Sequence, residues 1–360
     1  MLFAMKRILV TGAGGAPATN FVRSLKLDKT DSYHLVGIDA DKYYLQRAET
    51  DEKYLGPLCN HPKYIPFLNR LIEETKVQLI FAQPDVEISY LSEHRDELQC
   101  KVFLPSRETV RICQDKFLSF EAWKKAGLVV PETMMINTQD DLKKAFNELG
   151  PKIWIRATSG AFGKGSLPTD NLEQAKAWID FQKGWGTFSA AVCLEPTSIT
   201  WQSIWKDGEL IVAQGRKRLY WEFANRAPSG ITGLTGTGVT INDPVLDELA
   251  MKAIFAIDKK PHGIFSVDMT YDSKGRPNAT EINIGRFFTT HLFFSQAGLN
   301  MPAMYVKLAL GEALPPMEKK INPLPVGLAW VRGMDIEPVL TNVNDIESEV
   351  TKMNERLQAL

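Results

Sequence analysis

The chain has little from which to build cross-links, metal clusters or a membrane span. Its four cysteines, Cys59, Cys100, Cys113 and Cys193, are scattered and form no C-x-x-C pair, so neither a disulfide framework nor a zinc site is indicated. No apolar run approaches the ~18 residues that cross a bilayer. Neither sign of charge is in excess. The formal net charge is -1, which gives no reason to expect nucleic acid or a membrane surface as a partner. Residues 1–5 are too short for a signal peptide, so a reducing, cytoplasmic setting is expected. The order G-x-x-x-x-G-K-[ST] is missing, which excludes a Walker A loop. None of the nine tyrosines has Lys four residues on, which removes the Tyr-x-x-x-Lys pair used for proton transfer by short-chain reductases. No internal repeat or low-complexity segment occurs.

What remains is a globular composition, 44% hydrophobic and 24% charged, in 360 residues, enough for two or three subdomains. Residues 7–10 form an apolar strand running into Thr11-Gly12-Ala13-Gly14-Gly15-Ala16-Pro17. A helix over 19–27 and a strand over 35–38 follow, ending at Asp39. A strand, Gly-rich turn, helix and strand closing on an acid suggest a doubly wound sheet. Pro17 stands where the third glycine of G-x-G-x-x-G belongs. The turn therefore reads equally as a dinucleotide site or as a tight bend with no ligand. Residues 77–82 are another buried strand, and Asp85 and Glu87 follow it where α/β sheets commonly bind ligands. One long helix is expected over 109–127.

Residues 152–165, KIWIRATSGAFGKG, read as a strand and a glycine-rich loop. Gly160, Gly163 and Gly165 let backbone N–H groups approach phosphate oxygens. A strand over 190–194 leads into Glu195-Pro196. A hairpin over 202–214 precedes Arg216, Arg218, Tyr220, Trp221, Phe223 and Arg226. Basic residues among aromatics can bind single-stranded nucleic acid. In a neutral chain they read instead as a strand edge offering Arg216 and Arg218 to an anionic substrate. Residues 229–240, rich in Gly and Thr, read as a loop.

The most informative stretch is residues 263–287, GIFSVDMTYDSKGRPNATEINIGRF. Alternation over 264–271, turn chemistry at 272–275 and a second strand over 279–284 predict a hairpin. Glu281 and Asn283, two apart, share a face, and Asp268 can lie beside them on the neighbouring strand. Carboxylate and amide oxygens without His or Cys suit Mg2+ held jointly with nucleotide phosphates. Arg286 follows at once.

Asp268 with Glu281-Ile282-Asn283 resembles the metal-binding strands of ATP-grasp enzymes. Asp115-Lys116 with 126–131 (AGLVVP), the 160–165 loop and the hinge at Leu194-Glu195 are similar to the family's nucleotide site. The resemblance covers the chain from its first strand to about residue 315 and is closest to the carbamoyl-phosphate-synthase-like branch. It implies an α/β and α+β architecture: a pre-ATP-grasp doubly wound domain (1–110), a small lobe with the glycine loop (111–195) and a large lobe with the metal site and tail (196–360). It implies ATP binding by Lys116, Arg156, Gly160, Gly163, Lys164, Gly165, Ser166, Leu194 and Glu195. It implies metal binding, Mg2+ or Mn2+, by Asp268, Glu281 and Asn283, with Glu281 and Arg286 catalytic. The family usually has Lys where Arg156 stands, and an acid on the ribose where this chain has Trp201-Gln202. The implied activity is carboxylate–amine ligation through an acylphosphate, with small-molecule acid and amine partners and a homodimer left open. The alternatives are a nucleotide-sugar epimerase or reductase using the Gly12–Gly15 turn, and a non-catalytic nucleotide-binding regulator.

Overall fold

The structure, a computed structural model, describes residues 5–160, 163, 165–231, 234–333 and 341–360. Its first sheet is parallel and built from β1 (Lys6–Thr11), β2 (Tyr33–Asp39), β3 (Glu52–Leu55), β4 (Leu79–Phe81) and β5 (Lys101–Val102), in the order β3-β2-β1-β4-β5. Ile8, Leu9 and Val10 are all fully buried, as a strand covered on both faces requires. The strand order reverses between β1 and β4. The crevice at that switch point therefore lies between the Gly-rich turn after β1 and Pro84-Asp85 after β4.

Helix α1 (Ala16–Leu27) begins before residue 19, because Pro17 is compatible with a first helical turn. Asp41 caps α2 (Lys42–Arg47), whose backbone packs onto the glycine turn. A Cβ on Gly14 would stand 1.8 Å from Tyr44 O, and the Gly14 N–H donates to Asp39 Oδ2 at 3.1 Å. The glycine and the acid thus close the turn on the chain's own next strand and helix. This internal packing is what the tight-bend reading of the turn requires.

After α3 (Tyr64–Thr75) and α4 (Asp85–Glu93), the single helix expected over 109–127 is two: α5 (Arg107–Gln114) and α6 (Lys116–Lys125). Asp115 breaks it in an extended conformation, φ -105° and ψ 112°. Its side chain accepts from the N–H groups of Phe117 and Leu118, as an N-cap does. Lys116 is therefore the first residue of a helix, not one in the middle.

A four-stranded antiparallel sheet follows: β6 (Thr133–Ile136), β7 (Ile153–Ala157), β8 (Leu167–Thr169) and β9 (Phe188–Val192), ordered β6-β9-β7-β8. With α7 (Gln139–Leu149) and α8 (Leu172–Gln182) it encloses a core of its own, including Ile136, Leu142, Ile155, Ile179 and Phe188.

The largest sheet holds β10 (Ser198–Lys206), β11 (Glu209–Trp221), β12 (Thr235–Ile241), β13 (Gly263–Tyr271), β14 (Pro277–Ile284) and β15 (Ala329–Val331), ordered β14-β13-β10-β11-β12-β15. Two expectations change here. The Arg216–Arg218 stretch continues β11 between β10 and β12, so both arginines stand on an interior strand and not an edge, and Tyr220 and Trp221 extend it along β12 alone. Residues 235–240 are strand, not loop. One face of the sheet carries Ile199, Trp201, Val267, Met269 and Ile282, which pack with Ala250, Ala253 and Ile254 of α9 (Pro244–Ile257). The other face is polar at the end carrying Thr200, Arg216, Asp268 and Glu281, and apolar at Ile204, Val212 and Ile264, which join the core shared with the parallel-sheet domain. Helices α10 (Leu292–Gln296), α11 (Met301–Leu310) and α12 (Val343–Gln358) complete the chain. Among the described residues no helix is long and apolar enough to cross a membrane.

Residues 287–291 pass from β14 back to the parallel-sheet domain. Phe287 packs beside the stacked pair Phe21 and Phe81 and against Tyr305. His291 is fully buried and its Nδ1 donates to Phe288 O at 2.8 Å. Burial pushes the imidazole down to about 4. Between that value and the ~6.5 of an unfolded chain, the unfolded state binds the extra proton. Stability is therefore full above pH ~6.5 and falls as pH drops towards 4, by about 3 kcal/mol in all. His291→Gln keeps a donor for Phe288 O. Its denaturation midpoint should be nearly flat over that window once other groups are subtracted, whereas an unchanged slope in the variant rejects this account.

Candidate active site

The three sheets meet around a cleft of about 1260 Å3. Its floor is the polar face of the six-stranded sheet. The β13–β14 hairpin closes as its sequence predicts, with Asp272 N–H donating to Arg276 O and Gly275 N–H to Asp272 O, both at 2.9 Å. In the resulting register Asp268 pairs with Glu281 and Ser266 with Asn283, which sets all three candidate ligands on one face.

Each of the three candidate ligand side chains has a polar neighbour. Thr200 Oγ1 on β10 donates to Asp268 Oδ1 at 2.5 Å, and Asn283 Nδ2 to Asp268 Oδ2 at 3.0 Å. Lys116 Nζ lies 3.5 Å from Glu281 Oε2 and donates to Gly160 O at 2.8 Å. Arg286 donates from Nη2 to Asn283 Oδ1 at 2.6 Å, and grips both oxygens of Asp85 at 2.5 and 3.1 Å. Burial pushes both hairpin carboxyls up. At Asp268 it prevails, reinforced by the charge of Glu281. At Glu281 the charges of Lys116, Arg156 and Arg286 prevail and hold the carboxyl below its ordinary value.

The donor set of two carboxylates and one amide, all oxygen, matches a hard divalent cation. Among the described residues no group of three His, Cys, Asp or Glu side chains is placed to hold a metal alone. An ion here would depend on ligands from a bound phosphate.

Above the hairpin stands the four-stranded sheet. Arg156 on β7 donates from Nη2 to Thr280 O at 3.1 Å, and its buried Nε has no partner among the described residues. The Lys116 N–H donates to Thr158 O at 2.7 Å, so α6 starts against the end of β7. Gly160, Gly163 and Ser166 line the cleft. Gly163 and Gly165 have φ of 66° and 77°. A Cβ would meet Ile231 O at 2.9 Å from the first and Phe188 at 2.8 Å from the second. Lys164 lies outside the described residues. At the hinge, Leu194 and Glu195 line the cleft. The backbone of Glu195 is already used, its N–H donating to Tyr271 O at 2.9 Å and its C=O accepting from Thr270 Oγ1 at 2.6 Å. Backbone groups for a planar base must come from its neighbours.

The two β11 arginines separate. Arg218 lines the cleft, stacks on Trp221 at 3.5 Å and donates to Thr235 Oγ1 at 2.7 Å and to Ser198 Oγ. Arg216 is 1% exposed beneath it, stacked on Phe288 at 4.3 Å, with Nη1 reaching Thr235 Oγ1 at 3.3 Å. Its Nε has no partner, and neither arginine pairs with a carboxylate among the described residues. Burial pushes Arg216 well down and Arg218 to about 10. Trp201 and Gln202 do not stand at a ribose site. Trp201 lies on the far face, donating to Asp247 Oδ1 at 2.8 Å. Gln202 is buried, its Oε1 accepting from Phe288 N at 3.4 Å. Sequence reasoning missed Thr200 and the partnership of Asp85 with Arg286, both of which depend on contacts between distant strands and carry no local signal.

No family model and no curated protein matches the chain. Solved structures do. Carboxyaminoimidazole ribonucleotide synthase from Aspergillus clavatus, complexed with ATP, superposes with a TM-score of 0.66 at 17% identity over 90% of this chain and 80% of that one. The biotin carboxylase domain dimer of the Hydrogenobacter thermophilus 2-oxoglutarate carboxylase, with MgADP, ADP and bicarbonate, gives 0.67 at 16% identity over 90% and 73%. L-amino acid ligase from Bacillus licheniformis gives 0.64 at 11% identity over 85% and 74%. With its parallel-sheet domain and two antiparallel lobes around one cleft, the chain shares its fold with these three structures.

Proposed function

We propose that the protein is an ATP-dependent ligase that activates a carboxylate as an acylphosphate and joins it to an amine, releasing ADP and phosphate. One observation carries this reading: Asp268, Glu281 and Asn283 converge with Lys116 and Arg156 in a single cleft. ATP and MgADP in proteins of the same fold support it.

Lys116 and Arg156 neutralise the phosphates, while Gly160, Gly163, Lys164, Gly165 and Ser166 form the loop over them. Leu194 and Glu195 border the base. Asp268, Glu281 and Asn283 would hold the divalent cation through their side-chain oxygens. Mg2+, or Mn2+ in its stead, supplies charge neutralisation at the transferring phosphoryl group. The site needs no protein nucleophile, because in-line transfer depends on position and charge. Arg218, with Arg216 beneath it, meets the carboxylate of the acid. Arg286, bonded to Asn283 Oδ1 at the edge of the hairpin, is the candidate for the transferred phosphate.

The first test is product identity with pooled acids and amines: ADP and phosphate are expected, and AMP as the main product rejects the mechanism. Glu281→Gln keeps shape but removes one charge. It should fold normally and lose turnover about 10^3-fold, equivalent to about 4 kcal/mol. Lys274→Ala in the exposed turn is the control. A near-normal rate for Glu281→Gln makes the hairpin structural.

Arg216 yields a test of opposite sign. A buried guanidinium without an anion destabilises the fold. Arg216→Met keeps the stack on Phe288 and should melt at the same or a higher temperature, with stability gained up to about 4 kcal/mol, while KM for the acid rises. A clear fall in melting temperature would instead mark Arg216 as a structural pillar.

A further inference from the structure

We infer that Asp85 is a positioning residue for the metal site, the anion that retains Arg286 when the guanidinium gives up the amide oxygen that Asn283 offers to a cation. The inference rests on the metal reading of the hairpin. Arg286 Nη2 stands 2.6 Å from Asn283 Oδ1, the one oxygen of that side chain. The amide cannot turn to present another, because Nδ2 is engaged by Asp268 Oδ2 at 3.0 Å. A divalent ion on Oδ1 therefore meets the guanidinium, and an arginine cannot shed its charge to make room.

Relief requires an anion close enough to keep the guanidinium when it gives up Asn283. Asp85 is that anion. It grips Arg286 through two bonds, Nε to Oδ1 at 2.5 Å and Nη2 to Oδ2 at 3.1 Å, in the paired geometry that guanidinium and carboxylate share. The grip comes from a different sheet. Asp85 opens α4 at the switch point of the parallel domain, and its own carbonyl is fixed by Gln114 Nε2 at 2.8 Å. Arg286 thus sits between two claims, one from the metal strand and one from the neighbouring domain. Asp85 lines the cleft and is reachable from it.

The charges give the test its signs. In Asp85→Asn the grip weakens and Arg286 stays on Asn283, so Mn2+ titrated in the presence of ADP and read by electron paramagnetic resonance should bind about 10-fold more weakly. In Asp85→Asn/Arg286→Gln the competing charge is gone, and most of the affinity should return. Arg286→Gln alone should bind Mn2+ at least as tightly as the unaltered protein. It also decides the matter if Asp85→Asn fails to fold. Unchanged Mn2+ affinity in Asp85→Asn, no recovery in the double variant, or weaker binding in Arg286→Gln each overturns the inference and leaves the metal reading intact. If the unaltered protein binds no Mn2+ with ADP, the metal reading falls and this inference with it.

Discussion

Two carboxylates face each other across the β13–β14 ladder, and much of the molecule is arranged around that unfavourable pair. Like charges opposite on a sheet repel, by roughly 3 kcal/mol at ~5 Å and an effective dielectric of ~20. Cations approach from separate parts of the chain. Lys116 comes from the start of α6, Arg156 from β7 and Arg286 from beyond β14, while Thr200 donates from β10. Both antiparallel sheets and the start of α6 therefore contribute to one electrostatic centre.

The uneven legibility of the sequence follows from the range of the forces involved. The β13–β14 hairpin was readable because its determinants are local: a period of two, a turn at 272–275, and two ligands on one face. The glycine loop and Lys116 were readable from short motifs. The break at Asp115 was not, because apolar periodicity runs through it and only the cap geometry reveals the stop. The length of β11 was hidden for the opposite reason. A run of Arg216, Lys217 and Arg218 looks like the end of a strand, yet burial at the sheet's polar face demands strand there. Arg286 and Asp85 are 201 residues apart, and no local pattern could join them.

The N-terminal turn shows how one motif can serve two ends. Glycine is required at position 14 because Tyr44 presses on it, whether or not a ligand approaches the turn. On the other side of the switch point Asp85 lines the cleft, while Glu87, expected at the same place, turns inward and accepts from Tyr64 OH at 2.7 Å. A doubly wound domain whose glycine turn is packed by its own chain becomes a wall for a neighbouring site.

The small lobe carries a core separate from those of its neighbours. The parallel domain and the large sheet, by contrast, share theirs through residues such as Phe21, Phe81 and Phe287. Cooperative unfolding follows shared cores, so the chain comprises two foldons of unequal standing. The larger behaves as one block, and residues 133–192 form a unit that opens by itself at lower free energy. Amide protons of β6 to β9 accordingly exchange through that opening, ahead of those in β1 or β13. The glycine loop travels with the less stable unit, and the carboxylates it covers stay with the more stable one.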